Sequence, residues 1–163
     1  MIKLIAAVGS ERELGKKGEL IWRLKGDMAF FKTQTIGRTV VMGANTFKSL
    51  PKKLHDRIHY VLTSGSVQDN DGNDVRVFTS VGKLFEEVKG QATNKDVFII
   101  GGQTMYNLFL ELADEILLTE IEATDKKADA FFPRFDKSKY TRYVIASNEE
   151  SGIKYSHVRY VRK

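Results

Sequence analysis

VFIIGGQTMYNLFLEL, residues 97–112, runs from a continuous apolar stretch through two glycines into a helical pattern. An apolar run without alternation is what a strand covered on both faces looks like. The glycines let the chain turn at once, and a helix predicted over 103–112 follows with no intervening loop. A helix start offers unpaired N–H groups to an anion, and paired glycines let a ligand approach the backbone closely. A tight strand-to-helix turn also needs glycine for its own sake, and the GxGxxG dinucleotide fingerprint is absent. Both readings stay open on this stretch alone.

The same rhythm extends in both directions. Strands are predicted at 2–8, 38–43, 58–63, 75–79, 96–100, 114–121, 140–147 and 153–161, and helices at 25–36, 45–50, 81–89 and 103–112. Gly37 reads as the stop of the first helix and Ser80 as the N-cap of the third. Alternating strands and helices predict an α/β fold: a largely parallel sheet covered by helices on both faces. The last two strands alternate in polarity and are joined by NEESG (148–152), which predicts an antiparallel hairpin at one edge. The polar stretches 9–20, 64–74 and 123–130 read as loops, and loops of about a dozen residues in a compact domain are often functional.

Composition narrows the class. The chain has 163 residues, 42% hydrophobic and 29% charged, which suits one globular domain over residues 1–163. No apolar run approaches a membrane span, and MIKLIAAVG reads as a first strand rather than a secretion signal. With no cysteine there is no disulfide and no thiolate metal site, which fits a reducing cytoplasm. The net charge is +5, but the basic residues are scattered. That favours steering of small anionic ligands over nucleic-acid binding, which prefers a basic stripe interleaved with aromatics.

Asp27 interrupts an apolar pattern. In LIWRLKGDMAFF (20–31), Leu20, Leu24, Asp27 and Phe31 are spaced as one face of a helix. A carboxylate turned inward needs a hydrogen-bonding partner, and a ligand with adjacent N–H donors is one candidate. The other reading is that Asp27, just after Gly26, caps a helix start. Two further strand ends offer anion cradles: Gly43 with Asn45 and Thr46, and Thr63 with Ser64 and Ser66. Open parallel sheets bind ligands at this C-terminal edge. No GxSxG or phosphate-binding GxxxxGK[ST] occurs, and His55 and His59 do not share a helical face or complete a metal site. His157 alternates with polar residues in an edge strand and reads as solvated.

Taken in order, these residues resemble the dihydrofolate reductase family. The ordered set is LIAAV, the Leu14-Gly15 loop, the lone Trp22, Asp27 and Phe31 in DMAFF, VVMGANTFKSL, Arg57 in LHDRIHYVLTS, IIGGQTMY, Thr119 in LLTEI, and DAFFP at 129–133. The resemblance spans the chain and implies an eight-stranded, mainly parallel sheet with an antiparallel C-terminal hairpin. It also implies a reaction: NADPH gives a hydride to C6 of 7,8-dihydrofolate, N5 is protonated, and tetrahydrofolate leaves. By this resemblance Asp27 holds the pterin N3 and 2-amino group, and Trp22 closes the pocket and positions a water. Ile5, Met28, Phe31, Leu50, Leu54 and Ile100 line the substrate, Arg57 pairs with its α-carboxylate, and Thr119 orients Asp27.

For the cofactor, the resemblance puts Ala7, Leu14, Gly15, Leu20, Gly101 and Gly102 about the nicotinamide, with a cis bond between the two glycines. Gly43, Asn45, Thr46, Gln103 and Thr104 fall near the pyrophosphate, and Thr63, Ser64 and Thr79 near the adenosine. Loop 9–20 would close over the site, braced by loop 123–130 and Asp129. The chain departs from the family pattern at Ile21 and Lys25, where prolines are frequent, and at Ala44 and Thr104, where basic residues are frequent. NADPH preference then rests on Ser64, Thr79 and Arg76 or Lys48. Two alternatives carry different expectations. A reductase of the riboflavin pathway shares the fold but has no need of Asp27, Arg57 and Thr119 as a set; a basic binding module needs no catalytic residue at all. Family and size imply a monomer.

Overall fold

Successive residues of the central strands feed two cores, one on each face of a sheet. In β4 (Thr39–Gly43), Val40 and Met42 enter one core and Val41 the other, and all three are fully buried. In β1 (Ile2–Val8), Leu4 and Ile5 divide in the same way. Burial of such a side chain contributes about 1.5–3 kcal/mol, so both faces are strongly specified.

In this computed structural model, which describes residues 1–65 and 74–163, the elements follow the predicted alternation. After β1 come β2 (Glu13–Lys16), β3 (Glu19–Leu20), α1 (Lys25–Thr35), β4 and α2 (Ala44–Ser49). Then follow β5 (Ile58–Leu62), β6 (Val75–Phe78), α3 (Val81–Ala92), β7 (Val97–Gly101) and α4 (Gln103–Phe109). The chain ends with β8 (Glu115–Ile121), β9 (Ala130–Phe131), β10 (Tyr140–Glu150) and β11 (Ile153–Arg162). Most of the predicted 64–74 loop, with Ser66, lies outside the described residues.

Eight strands form one sheet in the order β10-β11-β8-β1-β7-β4-β5-β6. From β8 to β6 every neighbour is parallel, while β11 runs antiparallel to both β8 and β10. The core with Leu84, Val88, Met105 and Phe109 of α3 and α4 covers one face. Phe30, Phe31 and Phe47 of α1 and α2 pack over the other. Among the described residues no helix is long and apolar enough to cross a membrane.

Local chemistry explains the ends of these elements. Ser80 caps α3, its hydroxyl accepting from the Lys83 amide at 3.3 Å. Ser80→Ala is therefore expected to cost about 1 kcal/mol in chemical denaturation with an unchanged slope. The α1 helix has no capping side chain of its own at Leu24. Glu150, from the end of β10, accepts from the amides of Lys25 at 2.7 Å and Gly26 at 3.2 Å instead. The final hairpin turns at Ser151 and Gly152, with φ of 53° and 80°, the positive pair that a tight two-residue hairpin turn requires.

Three expectations are corrected. Stretch 9–20 is not an unstructured loop: β2 and β3 pair through a turn at Lys17 (φ 51°) and Gly18 (φ 79°), and β9 completes a three-stranded sheet. Leu20 does not share a helical face with Asp27, because it lies in β3, 54% exposed, and α1 begins only at Lys25. His157 is neither at the edge nor solvated. The edge strand is β10, which leaves β11 inside the sheet and His157 only 4% exposed.

Candidate active site

Parallel strands deliver their C-terminal ends to one edge, and the predicted residues gather there. Thr119 of β8, Ala7 of β1, Gly101 of β7, Gly43 of β4 and Thr63 after β5 follow one another along it. Strands lie about 4.8 Å apart, so the edge from β1 to β6 spans roughly 19 Å, a length suited to an extended ligand.

Asp27 stands in the first turn of α1 over the β8 end of this edge. Its Oδ1 accepts from the Thr119 hydroxyl at 2.5 Å, so the carboxylate does not cap its own helix. Its Oδ2 has no protein partner among the described residues. The Asp27 side chain keeps 21% exposure, and no lysine or arginine among the described residues forms an ion pair with it. Burial pushes its pKa above the ordinary aspartate value, against the lowering effects of the Thr119 hydroxyl and the nearby His157. A carboxyl held in this way is reluctant to ionise and has one oxygen free for a donor.

The wall beside it is apolar. Ile5 is buried, and Phe31, Leu50, Leu54 and Ile100 are half-buried in the same cluster. Met28 is 58% exposed and takes no part in that packing. Trp22 packs with Ala7 against Leu24, Ile121 and Tyr155. It lies so close to Gly9 that a Cβ there would meet Trp22 Cη2 at 2.6 Å, which explains that glycine.

Arg57 is 7% exposed at the far end of this wall. Its Nε donates to the His55 carbonyl at 2.8 Å and its Nη1 to Thr35 Oγ1 at 3.1 Å. Burial lowers its pKa, while Asp56 acts in the other direction. No carboxylate among the described residues forms an ion pair with it, so the guanidinium fork keeps donors for an outside acceptor.

Gly101 has φ 135°, and a Cβ there would sit 3.5 Å from both Thr46 Oγ1 and the Tyr106 hydroxyl. The Gly101–Gly102 bond is cis. Tyr106 donates its buried hydroxyl to the Ile5 carbonyl at 2.7 Å, tying α4 to β1 behind the glycines. Gly43 is the N-cap residue of α2, and Thr46 is half-buried beside the glycines. Asn45, Ser64, Thr79 and Thr104 are exposed, and Thr63 accepts from the Gly65 amide at 3.0 Å. Gln103 is exposed too, but its side-chain oxygen accepts from the Phe131 amide at 2.7 Å.

Leu14 and Gly15 lie in β2, with Leu14 buried. The brace expected from loop 123–130 and Asp129 is present, but nothing in the sequence marked the buried carboxylate at its centre. Glu13 is 2% exposed, and its two carboxylate oxygens accept from the amides of Glu11 and Asp125, each at 2.7 Å. Asp129 adds a bond from the Lys17 amide at 2.9 Å, and the Arg12 guanidinium donates to the Phe132 carbonyl. Stretches 9–20 and 123–131 are thus one unit beside the site. A charged residue amid polar neighbours carries no sequence signal that it is buried.

The dihydrofolate reductase family model matches residues 1–162. The chain is 32% identical over 140 residues to the dihydrofolate reductase of Bacillus subtilis (strain 168), covering 86% of this chain and 80% of that one. It is 30% identical to a dihydrofolate reductase of Haloferax volcanii, covering 98% and 82% of the two chains. With that of Staphylococcus aureus (strain Mu50) it is 30% identical, covering 93% and 88%. The chain belongs to the dihydrofolate reductase family, and it is an oxidoreductase enzyme that reduces dihydrofolate.

Proposed function

We propose that this enzyme reduces 7,8-dihydrofolate to tetrahydrofolate with NADPH as the preferred cofactor, using Asp27 as the anchor for the pterin. The observation that carries this reading is the Asp27 carboxyl, bonded to Thr119 through one oxygen, open through the other, and bordered by an apolar wall. Pterin N3 and the 2-amino group are adjacent donors that match it. An anionic carboxylate there favours a proton on the ring, at N5, where one must arrive for reduction at C6. Thr119 keeps the carboxylate oriented, and Trp22 shields it from bulk water while leaving room for an ordered one. Ile5, Phe31, Leu50, Leu54 and Ile100 pack the pterin and benzoyl rings, with Met28 as a movable cover. Arg57 offers its fork to the α-carboxylate.

A nicotinamide cofactor fits the residues opposite. Gly101 and Gly102 leave an approach that a side chain would fill, with the Thr46 hydroxyl close by. Ala7, Leu14, Gly15 and Leu20 border the nicotinamide end. Gly43, Asn45, Thr46, Gln103 and Thr104 serve the pyrophosphate, and Thr63, Ser64 and Thr79 the adenosine end. A reduced nicotinamide held by these residues would supply the hydride for pterin C6. The β2–β3 hairpin excludes water from that junction.

Discrimination by the 2′-phosphate is the fine point, because Ala44 and Thr104 carry no charge. Arg76 is ion-paired with Glu87 at 3.1 Å, so its charge is shared, and Lys48 is exposed. The reading predicts a KM for NADPH about tenfold below that for NADH in the dihydrofolate assay, the worth of one charge-assisted bond. Equal values would remove NADPH as the preferred cofactor. A single domain, a monomeric state and a cytoplasmic setting belong to the same proposal.

A further inference from the structure

His157 is an imidazole beside the Asp27 carboxyl to which the mechanism above gives no task. Ala7, Thr119 and His157 stand abreast on β1, β8 and β11, so all three side chains rise from one face of the sheet toward α1. The ring stacks on Phe30 of α1, with centroids 4.0 Å apart and planes 12° from parallel. Its Nδ1 is 2.9 Å from Thr119 Oγ1 and 3.8 Å from Asp27 Oδ1.

The hydroxyl of Thr119 has one proton to give. An ionised carboxylate only accepts, so at 2.5 Å that proton points to Asp27. Thr119 Oγ1 must then accept from the imidazole, which requires a proton on Nδ1. The result is a directed chain, Nδ1–H to hydroxyl to carboxylate, in which each bond polarises the next.

We infer that His157 is a positioning residue for dihydrofolate reduction: clamped by Phe30, it donates to Thr119, aims that hydroxyl at Asp27, and so steadies the carboxylate in its charged form. This rests on the role proposed for Asp27. The titratable groups facing the imidazole are Asp27 from α1 and Tyr155 from its own strand, whose ring meets it edge-on at 5.6 Å. Thr119 faces it from β8, and β10 presents Ala146 across the ladder. Glu150, at the end of β10, is occupied by the amides of Lys25 and Gly26. Burial lowers the His157 pKa, against the opposing charge of Asp27, which favours the neutral ring as the donor over the cation.

The test reads the carboxyl itself. In the unliganded enzyme, 13C NMR of the Asp27 carboxyl should show its midpoint moving up by about half a pH unit in His157→Phe, which keeps the stacking but loses the donor. His157→Asn, whose amide nitrogen can occupy the Nδ1 position, should bring it back. The pH profile of single-turnover hydride transfer should move in parallel. In the unsubstituted enzyme, 15N spectra should show His157 protonated at Nδ1, a readout that survives any folding defect in the variants. A proton on Nε2 alone, or an Asp27 midpoint unchanged in a folded His157→Phe protein, would overturn the inference. A midpoint that moves while the rate profile stays still supports the link from His157 to Asp27 and overturns instead the catalytic role given to Asp27.

Discussion

Asp27→Asn is expected to lower turnover at pH 7 by roughly 10²–10⁴-fold, the range over which a positioned acid–base group acts. Part of the loss should return on acidification, as dihydrofolate takes up its own proton and no longer depends on the carboxylate. Stability should move the other way. Burial raises the Asp27 pKa, so the folded state holds this proton more tightly than the unfolded chain does. Its contribution is therefore greatest at low pH and becomes a penalty as pH rises past the unfolded value toward the folded one. Asparagine does not ionise, and it can still accept from Thr119. The variant should accordingly be more stable than its parent at neutral pH in a denaturant titration, while being far less active. Near-normal activity across the pH range would refute the role given to Asp27.

Arg57→Leu is expected to raise the KM for dihydrofolate on the order of a hundredfold, with kcat changed much less. Truncating one side of a desolvated charge pair costs about 2–5 kcal/mol, and this guanidinium is buried without a carboxylate partner among the described residues. Its two present bonds, to the His55 carbonyl and Thr35 Oγ1, fix the plane of the fork and leave its remaining donors for the ligand. The readout is a steady-state titration with dihydrofolate and, in parallel, with a substrate fragment lacking the glutamate. The fragment should bind parent and variant alike. A loss of kcat with unchanged substrate affinity would contradict the assignment.

The parallel sheet was legible because two-sided burial writes itself into composition. Val40, Val41 and Met42 are apolar in succession since each must enter one core or the other. The C-terminal hairpin was legible for the opposite reason, its strands alternating. Strand order was not legible, and it decided the fate of His157. A polar residue in an alternating strand is solvated at an edge and enclosed inside a sheet, and β10, not β11, took the edge.

The small sheet of β2, β3 and β9 escaped notice because its pieces are short and polar. Its turn uses Lys17 and Gly18 where asparagine and glycine are the usual pair, and a buried carboxylate, Glu13, holds it beside only Leu14 and Ala130 as apolar anchors. The candidate site shows the same division. The spacing of Asp27 against an apolar pattern marked it as unusual, but the supposed helical face through Leu20 was false. Asp27 stands out for a tertiary reason, the reach of Thr119 from β8. Residues that hold others in place, Glu150 for α1 and Tyr106 for β1, meet their partners across 124 to 125 and 101 residues of chain, distances at which local pattern is silent.

The central claim is that the Asp27 carboxyl is the partner of the pterin's adjacent N–H donors. The most direct measurement is a 13C NMR titration of that carboxyl with and without bound folate. Without ligand the midpoint should lie above the ordinary aspartate value of 3.8. With folate bound, the two donors should hold the carboxylate ionised to lower pH, and its resonance should shift on binding. A midpoint and resonance that ignore the ligand would contradict the claim.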